Sequence, residues 1–209
     1  MSRSRTPEPK RIIDTVSSSR AAGRILDAAL ALITKRGDAH VTMAQIGRAA
    51  RVSRQAVYLH FADRAELMVA LARHLDAELG LPAEIQRIAD ATSGAEQVVA
   101  MVSLQARTNP SLWAVARAVD AVRRTDPAAD RAWQDRLDAR LAGCRRIAAR
   151  LESEGNLEAG LDASSAADIL WTITSLRTWE DLVLGRGWSP QKYQRHVTRF
   201  LLATLTRGA

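Results

Sequence analysis

Val41-Thr42-Met43-Ala44-Gln45-Ile46-Gly47-Arg48-Ala49-Ala50-Arg51-Val52-Ser53-Arg54-Gln55-Ala56-Val57-Tyr58-Leu59-His60-Phe61-Ala62-Asp63-Arg64-Ala65-Glu66-Leu67 is the stretch whose punctuation decides the fold. Thr42 and Gln45 are spaced as a capping box, in which hydroxyl and amide satisfy each other's orphan backbone donors at a helix start. A short helix follows, to about Ala50. Arg51 and Val52 leave room only for a tight turn before Ser53, a good N-cap, opens another short helix through Leu59. Asp63-Arg64-Ala65-Glu66 caps a longer helix with Leu67, Leu71 and Leu75 on one stripe, ending near Gly80-Leu81-Pro82.

Upstream, Ile25, Ala29, Leu32 and Ile33 recur at helical spacing before Gly37, which predicts a helix over about 20–36. A support helix followed by two short helices across a two-residue turn is a helix-turn-helix, whose second helix can enter the major groove. Ile46, Ala49, Val52, Val57 and Phe61 would close a small core with Ile25, Ala29 and Ile33. That leaves Arg54, Gln55, Ala56, Tyr58 and His60 facing outward on the third helix, with Arg suited to guanine edges and Gln to adenine edges. Tyr58, His60 and Arg64 suit phosphate oxygens, as does Thr42 beside free helix N–H groups. Each alone is also an ordinary cap or surface residue; their grouping after a two-residue turn favours a DNA reader.

Charge points the same way. Residues 1–64 hold 12 Lys or Arg against 5 acids, a net +7, while residues 65–209 carry 18 of each sign. A basic head on a neutral body fits a polyanion-binding module, and a solvated basic face fits it too. Residues 1–19 mix Ser, Arg, Pro and Glu without a core face, which predicts a flexible basic arm. Its Arg3, Arg5, Lys10 and Arg11 either reach DNA or form a solubilising tail.

Val41 to Ile46, Ala50 to Phe61 and Arg64 to Leu67 together closely resemble the DNA-binding domain of TetR-family transcriptional regulators. The resemblance covers roughly residues 20–67. It departs from the usual pattern at Arg51, where Gly is common and φ is positive, at Gln55, often Gly or Pro, and at Ala56, often Thr or Ser. By resemblance, Thr42, Arg54, Gln55, Ala56, Tyr58, His60 and Arg64 fall in the DNA-contacting region, with Tyr58 and His60 at backbone-contact positions. It further implies a palindromic operator, repression released by a small ligand, and a homodimer through the last two helices.

The remainder reads as helical, giving an all-α chain of about nine helices without strand signals: arm 1–19, reader 20–66, and ligand-binding and dimerisation domain 67–209. Ser93-Gly94-Ala95-Glu96 opens a helix to about Arg107, closed by Asn109-Pro110; Asp126-Pro127 begins one to about Glu154; Asp162 caps one to about Leu184; Ser189-Pro190 starts the last. In those last two, Ile169, Leu170, Ile173, Leu176, Leu182, Phe200, Leu201 and Leu205 offer more apolar surface than one packed side needs, and Ala166, Ala167 and Ser175 permit close approach. All five Trp lie in this body. Each buries on the order of 200 Å² and needs a partner for its N–H. Trp113 and Trp171, with Met101, Leu104 and Arg107, are the expected lining of an apolar ligand cavity, and Arg107, Arg117 or Arg177 the expected holder of an acidic group.

Composition bounds the rest. With 209 residues and 47% hydrophobic content the chain can bury a core, and charges interrupt every apolar stretch. A lone Cys144 excludes a disulfide framework or multi-thiolate metal site, and no secretory signal is read, which makes the cytoplasm the expected compartment. No phosphate loop, zinc helix or nucleophile elbow is present, so no enzyme activity, metal or cofactor is expected. An all-helical carrier or enzyme without DNA binding is the competing class.

Overall fold

Thr42 and Gln45 cap one another as their spacing predicts: Gln45 N donates to Thr42 Oγ1 at 3.3 Å and Thr42 N to Gln45 Oε1 at 2.9 Å. Ser53 Oγ accepts from Ala56 N at 3.0 Å, and Asp63 Oδ1 accepts from Glu66 N at 2.8 Å. These caps set the first elements of the computed structural model, which describes residues 9–36 and 41–207. Among those residues the chain is all-α: α1 (Pro9–Arg36), α2 (Met43–Ala49), α3 (Arg54–His60), α4 (Arg64–Glu78), α5 (Leu81–Ala89), α6 (Gly94–Arg123), α7 (Pro127–Ser153), α8 (Ala163–Ile173), α9 (Leu176–Trp179) and α10 (Pro190–Leu205). A π-helical segment, Glu180–Gly185, continues α9.

The turn between α2 and α3 is a Schellman closure with an arginine where glycine is cheapest. Val52 N donates to Gly47 O at 2.9 Å and Arg51 N to Arg48 O at 3.2 Å, while Arg51 sits at φ 57°. The positive φ expected there is present. Gly47 is fixed for a different reason, close approach: a Cβ on it would lie 3.1 Å from Val52 O and 3.3 Å from Val57 Cγ2.

Two compact units emerge. One runs to His74 and includes Ala114–Ala129; the other comprises Leu75–Trp113 and Asp130–Ala209. The sequence boundary at 66/67 therefore moves down α4, because Leu67, Met68 and Leu71 are buried and His74 Nε2 meets Asp27 Oδ1 at 2.8 Å. In the first unit Ile25, Ala29, Ile33, Ile46, Val57 and Phe61 are buried as expected, joined by Val41 and Met43. Ala50 replaces Ala49 on that face, since Ala50 follows Ile46 by one helical turn and Ala49 points to solvent.

Other boundaries differ from expectation for identifiable reasons. The arm expected over 1–19 is helical from Pro9: proline suits the first helical turn, and no glycine or further proline interrupts 10–19, so the helix nucleated downstream extends back. Lys10 and Arg11 thus belong to α1, while Arg3 and Arg5 lie outside the described residues. Asn109-Pro110 does not end a helix; α6 runs through it. An internal proline costs about 3 kcal/mol, and here burial of Leu104, Ala106, Thr108 and Asn109 on one side and Ala114 and Val115 on the other holds the helix together.

The helix expected over 162–184 breaks at Thr174. Thr174 Oγ1 donates back to Leu170 O at 2.6 Å, Ser175 Oγ caps Thr178 N at 3.1 Å, and Thr178 Oγ1 donates to Thr172 O at 3.0 Å. A run of hydroxyls gives the backbone alternatives to the helical ladder. Leu170, Leu201, Leu205, Ala166 and Ala167 are spent on the second unit's own core, which contains Val98, Leu151, Trp179 and Tyr193. The spare apolar surface of the last helices is instead Leu184 and Phe200, with Ile169, Ile173, Leu176 and Leu182 half-buried. Leu157 and Thr206 form an isolated bridge that ties the chain's end to the α7–α8 connection.

Candidate functional site

Val57 decides what α3 presents. It is fully buried, and at about 100° per residue the two positions two residues away, Gln55 and Leu59, lie opposite it. Gln55 is exposed, and Leu59 is 81% exposed, an unusual state for a leucine. Arg54 and Tyr58 flank this face; the Arg54 guanidinium carbon lies 5.5 Å from the Tyr58 ring centroid. Arg54, Gln55, Tyr58 and Leu59 thus form one solvent-facing strip that carries a cation, an amide, a phenol and an apolar tip.

The other expected contacts are exposed unequally. Ala56 is half-buried and His60 is half-buried with its ring 6.4 Å from Phe61. Thr42 is exposed at the start of α2, its hydroxyl engaged in the capping box. Arg64 is half-buried in the first turn of α4. Leu59 was missed by the sequence reading although its signal was available: it stands two residues from Val57, and on a helix that means the opposite side.

With this geometry in view, residues 25–71 match the family described as bacterial regulatory proteins, tetR family. Over this segment the chain is similar to that family. An uncharacterised HTH-type transcriptional regulator of Mycobacterium tuberculosis is 36% identical over 95 residues, covering 44% of this chain and 46% of that protein, so the match spans about half of its length. The fold is shared more widely. A Saccharomonospora viridis protein described as a transcriptional regulator, solved in complex with choline, aligns with TM-score 0.77 at 21% identity over 90% of this chain and 99% of its own. FadR of Bacillus subtilis, solved with stearoyl-CoA, aligns with TM-score 0.67 at 16% identity over 87% and 97%. The TetR family is one of regulators rather than enzymes, and no helix among the described residues is long and apolar enough to cross a membrane.

In the second unit, Met101, Trp113 and Trp171 are half-buried against the core, and Leu104 is buried. Arg107 is exposed, with Nη2 2.9 Å from Glu84 Oε2. Arg177 pairs with Asp181 at 3.1 Å and Arg117 faces solvent, so the three arginines expected to hold an acidic group are neutralised or exposed. Arg140 is the half-buried cation that sequence reading missed. Its Nη1 donates to Trp171 O at 2.7 Å and Thr174 Oγ1 at 3.3 Å, and its guanidinium lies 4.6 Å from the centre of the Trp171 ring. Burial lowers the Arg140 pKa, raises that of the Cys144 thiol, and pushes the Tyr193 hydroxyl up to about 12; Arg140 opposes the last two shifts.

Proposed function

We propose that this chain is a ligand-responsive transcriptional regulator that binds a palindromic operator as a homodimer. The observation that carries the reading is the exposed strip of α3 on a head that holds the chain's whole excess of positive charge. Arg54 can donate twice, to guanine O6 and N7, Gln55 can donate to adenine N7 while its Oε1 accepts from the N6 amino group, and Leu59 offers an apolar surface for a thymine methyl. Tyr58 within the strip, with Thr42, Ala56, His60 and Arg64 outside it, supplies phosphate-side contacts, which position the head without reading sequence.

One short recognition helix is too small for tight specificity, and a two-fold site calls for a two-fold protein. The last helices, with Leu184 and Phe200 exposed, are the proposed dimer surface, and Met101, Leu104, Arg107, Trp113 and Trp171 the proposed neighbourhood of the ligand. NalD of Pseudomonas aeruginosa is described as a secondary repressor of a multidrug efflux pump and shares the fold at TM-score 0.68; repression in the cytoplasm is the corresponding proposal here. A ligand releases DNA only by binding one arrangement of the two heads better than the other.

A mobility-shift titration of the full chain on genomic fragments, with excess nonspecific duplex, tests the reading. Specific retention of a few fragments is expected. An all-helical carrier or enzyme would retain none, and a nonspecific binder would be competed away uniformly.

A further inference from the structure

An open groove of about 720 Å³ runs along α10 in the second unit, with Val99 of α6 on its other wall. That volume is in the range of small-molecule clefts. Val99, Leu202 and Ala203 give it an apolar lining, and Val99 is 39% exposed to it. The groove is separate from the surfaces proposed above. Val99 and Met101 stand two residues apart on α6, as do Thr198 and Phe200 on α10, and at about 100° per residue the members of each pair look to opposite sides. Val99 and Thr198 face the groove; Met101 and Phe200 do not line it.

The rim of this apolar groove is cationic and uncompensated. α10 carries Lys192, Arg195, His196 and Arg199 and no Asp or Glu, and Arg195 and Arg199 line the groove. Among the described residues no acid forms an ion pair with Lys192, Arg195 or Arg199, whereas Arg107, Arg123, Arg136, Arg150 and Arg177 each have one. Arg195 and Arg199 stand one turn apart on the same face, where like charges repel. Their field reaches His196, whose pKa is lowered by desolvation first and then by Arg199, Arg195 and Lys192. A carboxylate at the two guanidinium groups would relieve that repulsion through charge-assisted hydrogen bonds. From Arg195 to Ala203 the helix then rises about 12 Å, which gives an alkyl chain attached to that carboxylate an apolar track to lie on.

We propose that this groove binds an amphiphilic carboxylate with a single alkyl chain, its head at Arg195 and Arg199 and its chain laid over Val99, Leu202 and Ala203. The site is additional to the ligand neighbourhood proposed for the regulator, and its occupation does not require DNA.

Calorimetric titration of the full chain with decanoate, against decyltrimethylammonium, tests it at one fixed salt concentration, with both probes kept monomeric. The two share an alkyl chain and differ in the sign of the head. Decanoate should bind at least about tenfold more tightly, and about fourfold more tightly than octanoate, which buries two fewer methylenes in an open groove. Arg195→Gln with Arg199→Gln should bring the two decyl probes to within about threefold of each other, and each substitution alone should remove part of the preference. Both side chains are exposed, so neither change disturbs the core. Val99→Gln, on the apolar wall, should weaken both probes by about threefold or more, while Arg145→Gln on α7 should leave both within about twofold. Equal affinity for the two probes, no binding of decanoate, indifference to chain length, or a preference that survives the double substitution overturns the proposal. So does a decanoate affinity that rises as the chain is diluted, which would put a second copy of the chain on the groove instead.

Discussion

Arg54 and Tyr58 stand one turn apart on α3, with the guanidinium carbon of the first 5.5 Å from the ring centre of the second. The stack restrains a long side chain that would otherwise lose rotamer freedom on reaching a base, and an exposed cation–π contact contributes about 0.5–1 kcal/mol. Tyr58→Ala should therefore weaken operator binding by about ten- to a hundredfold, removing both the phenol and the restraint on Arg54. Tyr58→Phe should cost only about three- to fivefold. Fluorescence anisotropy at one fixed salt concentration reads both; equal losses would show that the ring does not hold Arg54.

Leu59 supplies a prediction about the DNA rather than the protein. If its exposed tip meets a thymine methyl, replacing that thymine by deoxyuridine removes one buried methyl, worth about 0.8 kcal/mol or roughly fourfold in affinity. Leu59→Ala should weaken binding to the thymine duplex by a similar factor and abolish the difference between the two duplexes. A wild-type protein indifferent to every thymine-to-deoxyuridine change in its half-site would contradict the placement.

Arg51 holds a left-handed conformation that only glycine adopts without cost. Arg51→Gly should raise stability by about 0.5–1 kcal/mol, after allowance for the greater freedom of glycine in the unfolded chain. The urea midpoint at constant m-value measures it, and a loss of stability would mean that the Arg51 side chain contributes more than its backbone costs.

At the start of α6, Glu154 accepts from Gly94 N at 3.0 Å and pairs with Arg150, and these contacts hold its carboxyl below the ordinary range, the Gly94 bond most of all. A depressed carboxylate stabilises the fold above its unfolded pKa of about 4.3. That contribution disappears as pH falls through the lower folded value. Glu154→Gln should lower the urea midpoint at neutral pH and flatten its decline in acid. Gly94→Ala should be harsher, by about 1–3 kcal/mol, because the new Cβ would lie 2.8 Å from Leu151 Cγ and 3.0 Å from its backbone N.

What the chain reveals before folding follows from the range of the forces involved. The caps at Thr42, Ser53 and Asp63 and the positive φ of Arg51 are set within four residues, and they stand where local spacing puts them. The passage of α6 through Pro110 depends on burial on either side, and the break at Thr174 on hydroxyls competing with the ladder, neither of which periodicity records. Leu59 was legible from its two-residue offset from Val57. Arg140 was not, because its partners Trp171 and Thr174 are 31 and 34 residues away along the chain.

Selection of bound duplexes from a randomised pool by the full chain, at physiological salt, tests the central claim most directly. The account predicts an inverted repeat whose half-sites are centred about one helical turn, or a multiple of it, apart, with Gln55→Ala relaxing the preference at an adenine and Arg54→Ala at a guanine in each half. A selected pool with no common sequence, or a motif unchanged by both substitutions, would contradict it.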